Sequence, residues 1–267
     1  MSIDWKILAK PQADGSDNKL FRQLLRNNRR IRYYRPVHHG LVKRYFNQCV
    51  ACVPVGPSVD FDGLVSARRN HSNIAKAEKL LRRCWPDVHQ QFGHIVHYLC
   101  PMQHRGQHQL LQSCSGCFEA NYGLVYATVE HPFSLAEALV HEMAHHKLFA
   151  MGIGIESAEA LVLNRPDRLY NSPVILDRKR PMTAVIHAQY SFIHILQLDV
   201  MLYEQVNTAQ ERRLVQNLID YTLPKMKVGL EEIKQHVKTD HAGKQFINAF
   251  YRWAEDVIEQ AEHTTQQ

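Results

Sequence analysis

Apolar residues recur every three or four positions along most of this chain, which is the spacing of a buried helix face. Six stretches follow this pattern: 18–35, 41–53, 73–99, 182–206, 209–237 and 242–263. The stretch 182–206 is apolar on nearly all sides and is expected to be a buried helix, whereas the last two stretches carry a polar face. The pattern therefore predicts mostly helices, including most of residues 1–100.

A different pattern occupies residues 118–129, FEANYGLVYATV, which are rich in aromatic and β-branched residues. This composition predicts one or two strands. The next stretch, Leu135–Met151, is expected to form a helix. Ser134 and Glu137 have the spacing of an N-terminal capping box, and Gly152 suits the C-terminal cap.

Together these elements predict a mainly α fold with a small β element, in the α+β class. The helix Leu135–Met151 is expected to be central and to pack against a short antiparallel sheet and the C-terminal helices. A shorter helix is expected over Ser157–Leu163. We divide the chain into a helical N-terminal region, 1–110, and a region that carries the candidate chemistry, 111–267; one continuous domain is the alternative.

The composition and charge of the chain indicate which class of partner it binds. The chain has 267 residues, 45% of them hydrophobic, which is enough for a buried core. Its net charge is +6, and positive residues cluster in 22–35 and 177–181, which favours an acidic partner. Nucleic acid is not the expected partner, since no common nucleic-acid motif is present. With no apolar run of about 18 residues and no secretion signal, a cytoplasmic protein without a membrane partner is expected.

Six cysteines include two pairs with C-x-x-C spacing, Cys49 with Cys52 and Cys114 with Cys117. Four such thiols can bind zinc, but these pairs are about 60 residues apart, much farther than in zinc fingers. The first pair also lies in an apolar run, which favours buried free thiols. Disulfides are not expected without a secretion signal.

The clearest chemical signal is the stretch EALVHEMAHHKL, residues 137–148, which has the sequence His-Glu-x-x-His in the middle of the central helix. Residues four apart lie about 40° from one another around a helix, so His141 and His145 project side by side and can bind one metal ion. Glu142 points about a quarter turn away and can reach a metal-bound water. This is the arrangement of zinc metallopeptidases.

Two histidines leave a metal ion short of ligands, so a third must come from elsewhere. The metzincin extension is excluded, because positions 148 and 151 are Leu and Met rather than Gly and His. Glu156 and Glu159 follow the helix closely and are one option, as in gluzincins. His187, which is 42 residues after His145, is another. A fourth ligand such as His194 would close the site and make the metal structural.

The segment from about Phe118 to Glu204 resembles the HExxH-containing peptide-modification proteins that accompany ribosomal peptide gene clusters. That family has the HExxH helix, then a segment of the form Y-x-S-P-x-x-x-D-x-R-P, then a helix that opens LLHGxYAF. The matching residues are Tyr170, Ser172, Pro173, Asp177, Arg180, Pro181, His187, Ala188, Tyr190 and Phe192, but two residues rather than one separate Asp177 from Arg180 here. Val174 stands where the family has tryptophan, and Ala188 where it has glycine. The match covers roughly a third of the chain.

The resemblance implies an iron(II) and 2-oxoglutarate dependent oxygenase that hydroxylates a peptide side chain at its β-carbon. His141, His145 and His187 would hold the iron on one face, leaving open positions for the keto acid and for O2. The far carboxylate of 2-oxoglutarate needs a cation, which Arg180, or failing that Arg178, would supply through its guanidinium. The partner would be an acidic or extended precursor peptide in natural-product maturation.

Two other functions stay open. In a zinc peptidase, Glu142 would be the general base for a zinc-bound water, and Glu159 or His187 would be the third ligand. In a non-catalytic binding protein, the metal would be structural. In both enzymes the aromatic strand, with Tyr122 and Tyr126, is expected to hold an extended peptide by strand addition.

Overall fold

The computed structural model describes residues 3–28, 31–35, 43–46, 49–51, 64–66, 71–104 and 114–266. Its helices are α1 (Trp5–Leu8), α2 (Ser16–Asn27), α3 (His71–Cys84), α4 (Pro86–Ile95), α5 (Pro132–Ala150), α6 (Met182–Gln205), α7 (Ala209–His236) and α8 (His241–Thr265). Its strands are β1 (Lys43–Tyr45), β2 (Cys49–Ala51), β3 (Leu64–Ser66), β4 (Tyr98–His104), β5 (Ser115–Cys117), β6 (Leu124–Thr128), β7 (Leu169–Tyr170) and β8 (Arg180–Pro181). The predicted mainly α fold with a smaller β element is confirmed.

The chain divides into two compact units. The first unit combines Met1–Asn28 with Lys147–Gln267, and the second is Arg29–His146. This division differs from the boundary near residue 110 that we drew from the sequence, because α1 and α2 belong to the same unit as the C-terminal helices. The junction at His146 falls inside α5.

Three long helices form the core of the first unit. α6, α7 and α8 pack against one another, and α1 packs against α8. The helices predicted over 182–206, 209–237 and 242–263 are confirmed. α6 is buried along nearly its whole length, as its apolar sequence predicts. Even so, no helix in the described part of the chain has the length and apolar character needed to cross a membrane.

The N-terminus of α8 organises the segment for which a short helix is predicted. Asp240 caps α8 by accepting a hydrogen bond from the Gly243 N–H at 2.6 Å, and it also accepts one from the Leu161 N–H at 2.9 Å. Leu161 has a φ of 71°, and a Cβ at position 243 would overlap its backbone. The predicted helix over Ser157–Leu163 is therefore wrong: the segment is irregular, because its backbone bonds to α8.

The second unit contains a sheet with the strand order β1-β2-β4-β6-β5, and β3 also pairs with β4. The pairs β2–β4 and β4–β6 are parallel, whereas β1, β3 and β5 pair antiparallel with their neighbours. The prediction of an antiparallel sheet is therefore wrong, and the sheet is mixed. Parallel pairing of β2 with β4 follows from the crossover between them, which includes α3 and α4.

The strands β1 and β2 lie in the stretch 41–53, for which the apolar spacing predicts a helix. That prediction is wrong for the described residues, because Lys43–Tyr45 and Cys49–Ala51 pair in an antiparallel ladder. A short apolar run has no clear period, so pairing with a neighbouring strand decides its conformation. The stretch 73–99 is helical only in part, since β4 begins at Tyr98 after α3 and α4.

α5 carries the His-Glu-x-x-His sequence and begins at Pro132, three residues before the predicted start. Proline suits the first helical position, and the His131 ring accepts a hydrogen bond from the Phe133 N–H at 3.3 Å. The predicted capping box is therefore wrong, because Ser134 and Glu137 lie within the helix and are buried.

The end of α5 is as predicted. Gly152 has a φ of 80°, a backbone conformation that side chains with a Cβ rarely adopt. Its N–H donates to the Phe149 carbonyl, and the Ile153 N–H donates to the Leu148 carbonyl, each at 3.0 Å. This pair of hydrogen bonds is the Schellman motif, in which a glycine ends the helix and the two N–H groups satisfy its last carbonyls.

Candidate metal centre

His141 and His145 lie on one face of α5, one turn apart. Their Nε2 atoms are 3.0 Å apart, and their rings meet edge to face with centroids 4.6 Å apart. Two imidazoles bound to one ion at about 2.1 Å, with an angle near 90° between them, would have nitrogens about 3.0 Å apart. The helix therefore holds the two nitrogens at the separation of neighbouring ligands to a single ion.

Glu142 lies beside this histidine pair, in the interior of the second unit, with only 2% of the residue exposed. Its Oε1 atom is 4.0 Å from the Nε2 atom of His141. The same oxygen accepts a hydrogen bond from the Ser115 hydroxyl at 2.6 Å. The carboxyl group is therefore close enough to act on a group bound between the histidines.

Burial raises the pKa of Glu142 to about 7, although hydrogen bonds from Cys117 and Ser115 oppose the rise. A carboxyl group with such a pKa takes up and releases a proton near neutral pH, as a general base or acid must. A divalent cation nearby would favour the ionised form. Glu142 is thus a buried carboxyl group beside the histidine pair that can exchange a proton near neutral pH.

Strand β5 brings Ser115 and Cys117 against the Glu142 turn of α5. Residues two apart in a strand face the same side, and both of these contact Glu142. Ser115 donates to its carboxylate, and the Cys117 thiol donates to its backbone carbonyl, with Sγ 3.8 Å from the oxygen. The sequence analysis missed Ser115 and named Cys117 only as part of a C-x-x-C pair, because no spacing rule relates a strand to a helix residue that follows 25 or 27 positions later.

His146 attaches α5 to the sheet. Its Nε2 atom is 3.2 Å from the carbonyl oxygen of Leu124 in β6, and since a carbonyl only accepts, this nitrogen donates. The ring packs edge-on against Tyr122, with centroids 4.8 Å apart. Burial lowers the pKa of His146 to about 4, so the ring is neutral at pH 7. The histidine directly after the motif therefore fixes the helix in place.

The pair Cys114 and Cys117 does not have the geometry of a disulfide. Cys117 lies opposite Val125 in the ladder between β5 and β6, and Cys114, directly before β5, accepts a hydrogen bond from the Thr128 N–H through its carbonyl. Residues three apart in a strand have Cα atoms about 10 Å apart, beyond the roughly 7 Å that a disulfide allows. Cys117 is a free thiol whose pKa burial raises well above its usual value. Of the other pair, Cys52 lies outside the described residues.

In the first unit, His187 lies on the second turn of α6 and is almost fully buried. Its Nε2 atom is 2.8 Å from the Ile153 carbonyl oxygen, and its ring packs against Phe149. Because the carbonyl only accepts, Nε2 carries the proton and Nδ1 carries the lone pair. Burial lowers the pKa of His187 to about 4. A neutral histidine that donates one N–H to a backbone carbonyl is typical of metal ligands and also of core histidines.

The two candidate arginines differ in exposure. The Arg180 side chain is 19% exposed, and its Nη2 donates to Glu156 Oε1 at 3.2 Å, whereas Arg178 is exposed. Glu156 itself is mostly exposed, and Glu159 is also exposed. His194 lies between the rings of Tyr190 and Trp253 and donates from Nδ1 to the Tyr190 carbonyl at 2.8 Å.

The structure places the predicted substrate-binding residues Tyr122 and Tyr126 in the interior. Tyr122 is 1% exposed, and Tyr126 packs in a cluster with Cys100 and Met102. The prediction that an extended substrate peptide pairs with this strand is wrong, because β4 and β5 already pair with both edges of β6. A paired strand has no free backbone groups left for a peptide.

Among the residues that the structure describes, no three His, Cys, Asp or Glu side chains are grouped so as to hold a metal ion. The third ligand, which the sequence leaves open among Glu156, Glu159 and His187, stays a prediction. No protein-family model matches the chain, and a comparison with curated proteins finds no match. The resemblance to the HExxH peptide-modification proteins therefore rests on the motifs alone.

Proposed function

We propose that this protein is an iron(II) and 2-oxoglutarate dependent oxygenase that hydroxylates a peptide side chain at the β-carbon, in the maturation of a ribosomally made peptide. The observation that carries the metal-dependent part is the 3.0 Å separation of the His141 and His145 Nε2 atoms. Two imidazoles form a set that suits iron(II) and zinc alike. The choice of iron and of the reaction follows from the order of the motifs downstream of α5.

His187 is the third ligand in this proposal, on the strength of the sequence pattern around it. Its Nδ1 is the atom that would bind, because Nε2 donates to the Ile153 carbonyl. Such a carbonyl fixes the tautomer and the orientation of a ligand ring. Its pKa of about 4 keeps the ring neutral at pH 7, which is the form that binds a metal.

Arg180 is the proposed anchor for the far carboxylate of 2-oxoglutarate. Support comes from its contact with Glu156, since the guanidinium already binds a carboxylate oxygen at 3.2 Å. Because the arginine is mostly buried and Glu156 is mostly exposed, a carboxylate from a small molecule can replace that of Glu156 at little cost. Arg178 is exposed and is the weaker candidate.

The overall reaction converts a C–H bond, O2 and 2-oxoglutarate into a C–OH bond, succinate and CO2. Bound iron(II) supplies the oxidising chemistry when O2 and the keto acid are present. In this reaction Glu142 does not need to accept a proton from the substrate. Its buried carboxylate, held by Ser115, orients a water or a ligand beside the histidine pair.

The test is anaerobic loading with iron(II), followed by addition of 2-oxoglutarate and O2, with succinate as the product that is measured. Uncoupled turnover forms succinate slowly even without the peptide, so the substrate does not have to be known. We expect succinate from the wild type and none from His141→Ala. The absence of succinate from the iron-loaded wild type, with or without a library of peptides, contradicts the oxygenase.

A zinc-dependent metallopeptidase is the second candidate, and one observation favours it. Glu142 is 4.0 Å from the His141 Nε2 atom and has a pKa of about 7, which suits a general base for a metal-bound water. The variant Glu142→Gln separates the two enzymes. It should lower peptide hydrolysis by about 100-fold or more in a peptidase, but only perturb an oxygenase. Cleavage of peptides by the zinc-loaded wild type would favour the peptidase.

A further inference from the structure

We infer that Ser115 is a positioning residue for Glu142, which it holds in one orientation beside the metal ligands. This inference rests on the metal centre in the proposed function, but not on the reaction that follows. Glu142 is almost fully buried, and a buried carboxylate is stable only when donors satisfy its oxygens. The Ser115 hydroxyl is such a donor, at 2.6 Å from Oε1, a length typical of a bond to a charged acceptor.

Strand pairing holds Ser115 firmly in place. The residue lies opposite Ala127 in the ladder between β5 and β6. At the adjacent position, the Thr128 N–H donates to the Cys114 carbonyl at 2.9 Å, and the Cys114 N–H donates to Thr128 Oγ1 at 3.1 Å. The hydroxyl of Ser115 is therefore presented from a part of the backbone that is fixed on both sides.

The position of Glu142 on α5 explains why it needs this support. The helix fixes the directions of the His141 and His145 side chains by their spacing alone, but Glu142 points about a quarter turn away. Its carboxyl group must bend back to bring Oε1 to 4.0 Å from the His141 Nε2 atom. The bond from Ser115 ends on that same oxygen. Without it, the carboxyl group can rotate away from the ligand pair.

Removal of the hydroxyl should therefore change the metal site through Glu142. A negative charge close to a divalent ion strengthens its binding, and loss of an outer hydrogen-bond partner typically lowers metal affinity about 10- to 100-fold. The conservative variant Ser115→Thr keeps the donor on a residue that strands accept well. Ser115→Thr should therefore keep the metal affinity that Ser115→Ala loses.

The experiment measures cobalt(II) binding to the full chain, by the dissociation constant and by the visible spectrum of the bound ion. We expect about tenfold weaker binding and an altered spectrum for Ser115→Ala, and values near the wild type for Ser115→Thr. Asn73→Ala is the control, because it removes side-chain hydrogen bonds to the Val129 and Glu130 carbonyls in the same unit without touching Glu142 or the strand that carries Ser115. It should leave the spectrum unchanged.

A double-mutant cycle with Glu142→Ala decides whether Ser115 acts through Glu142. In the Glu142→Ala background, the change Ser115→Ala should have no further effect on cobalt binding. An equal loss in both backgrounds overturns the inference, as does wild-type binding by Ser115→Ala. If the wild-type chain binds no cobalt(II), the metal centre and the role of Ser115 are both overturned. If it binds cobalt but forms no succinate with iron, only the oxygenase reaction fails.

Discussion

The two regions for which the sequence predicts chemistry are organised differently. In the second unit, His141, His145 and Glu142 come from a single turn of α5, and their polar atoms converge within 3.0 to 4.0 Å. In the first unit, His187 and Arg180 bond to groups of their own unit, the Ile153 carbonyl and the Glu156 carboxylate. A motif on one helix carries its own geometry, whereas a site assembled from distant segments depends on how the whole chain folds.

The buried histidines sharpen this comparison. His146, His187 and His194 each donate one ring nitrogen to a backbone carbonyl. Such a bond satisfies a buried imidazole and needs no metal. In contrast, the Nε2 atoms of His141 and His145 face each other at hydrogen-bond distance, 3.0 Å, and not a backbone carbonyl. The first arrangement occurs in ordinary cores, so the facing pair is the stronger sign of a metal.

The largest effect is expected at the facing pair. His141→Ala and His145→Ala should each lower the affinity for iron(II) or cobalt(II) by more than 100-fold, since direct ligands contribute more than the outer partners that cost about 10- to 100-fold. His263→Ala is the control, because that histidine is exposed near the C-terminal end of α8. Calorimetric titration of each variant measures the difference. Unchanged affinity in either motif variant would remove the pair from the metal site.

The next effect concerns acid stability of the metal-free protein. Burial lowers the pKa values of His146 and His187 to about 4 in the folded state, from an ordinary value of about 6.5. Between pH 6.5 and 4 each of these histidines binds a proton in the unfolded chain but not in the folded chain, so each lowers stability as the pH falls through this window, while the raised pKa of Glu142 offsets part of the loss. Each histidine accounts for about 3 kcal/mol of that loss. Urea unfolding at pH 7 and at pH 4.5 measures it.

The variants His146→Gln and His187→Gln test whether these two histidines cause the loss. A glutamine can still donate to the carbonyl but does not titrate, so each variant should show a smaller difference between the two pH values. Gln245→Ala, at an exposed side chain of α8, is expected to behave as the wild type. Wild-type pH dependence in both histidine variants means that other groups destabilise the protein in acid.

The third prediction concerns Arg180. If it binds the far carboxylate of 2-oxoglutarate, Arg180→Ala should raise the KM for the keto acid about 100-fold while changing the KM for the peptide far less, because a charge-assisted pair is lost. Arg180→Lys should recover only part, since an ammonium cannot form the bidentate pair. Arg178→Ala is the neighbouring control. A rise in KM with Arg178→Ala alone would move the anchor to Arg178.

The success of the sequence analysis follows the same division between local and distant contacts. Apolar spacing predicts the three long helices of the first unit, and Gly152 predicts the end of α5, because both signals act within a few residues. The helix predictions for 41–53 and 157–163 are wrong, because the backbone bonds that decide these segments go to distant groups. β1 and β2 bond to each other as strands, and the segment 157–163 bonds to Asp240. Ser115 was missed for the same reason, since its role depends on strand pairing with β6.

The smallest expected effect involves Glu156, which is the partner of Arg180 and also a candidate for the third metal ligand. As a mostly exposed partner it contributes at most about 1 kcal/mol to the ion pair. In the oxygenase, Glu156→Ala should therefore free Arg180 and lower the KM for 2-oxoglutarate by no more than about fivefold. Metal affinity should not change.

Glu159→Ala is the matched control, because Glu159 is an exposed glutamate of the same irregular segment and the other acidic candidate for the third ligand. It should alter neither the KM nor the affinity for iron. A loss of metal affinity of 100-fold or more in one of these two variants would make that glutamate the third ligand, in place of His187. The site would then have the ligand set of a gluzincin, and the peptidase would become the better description of this protein.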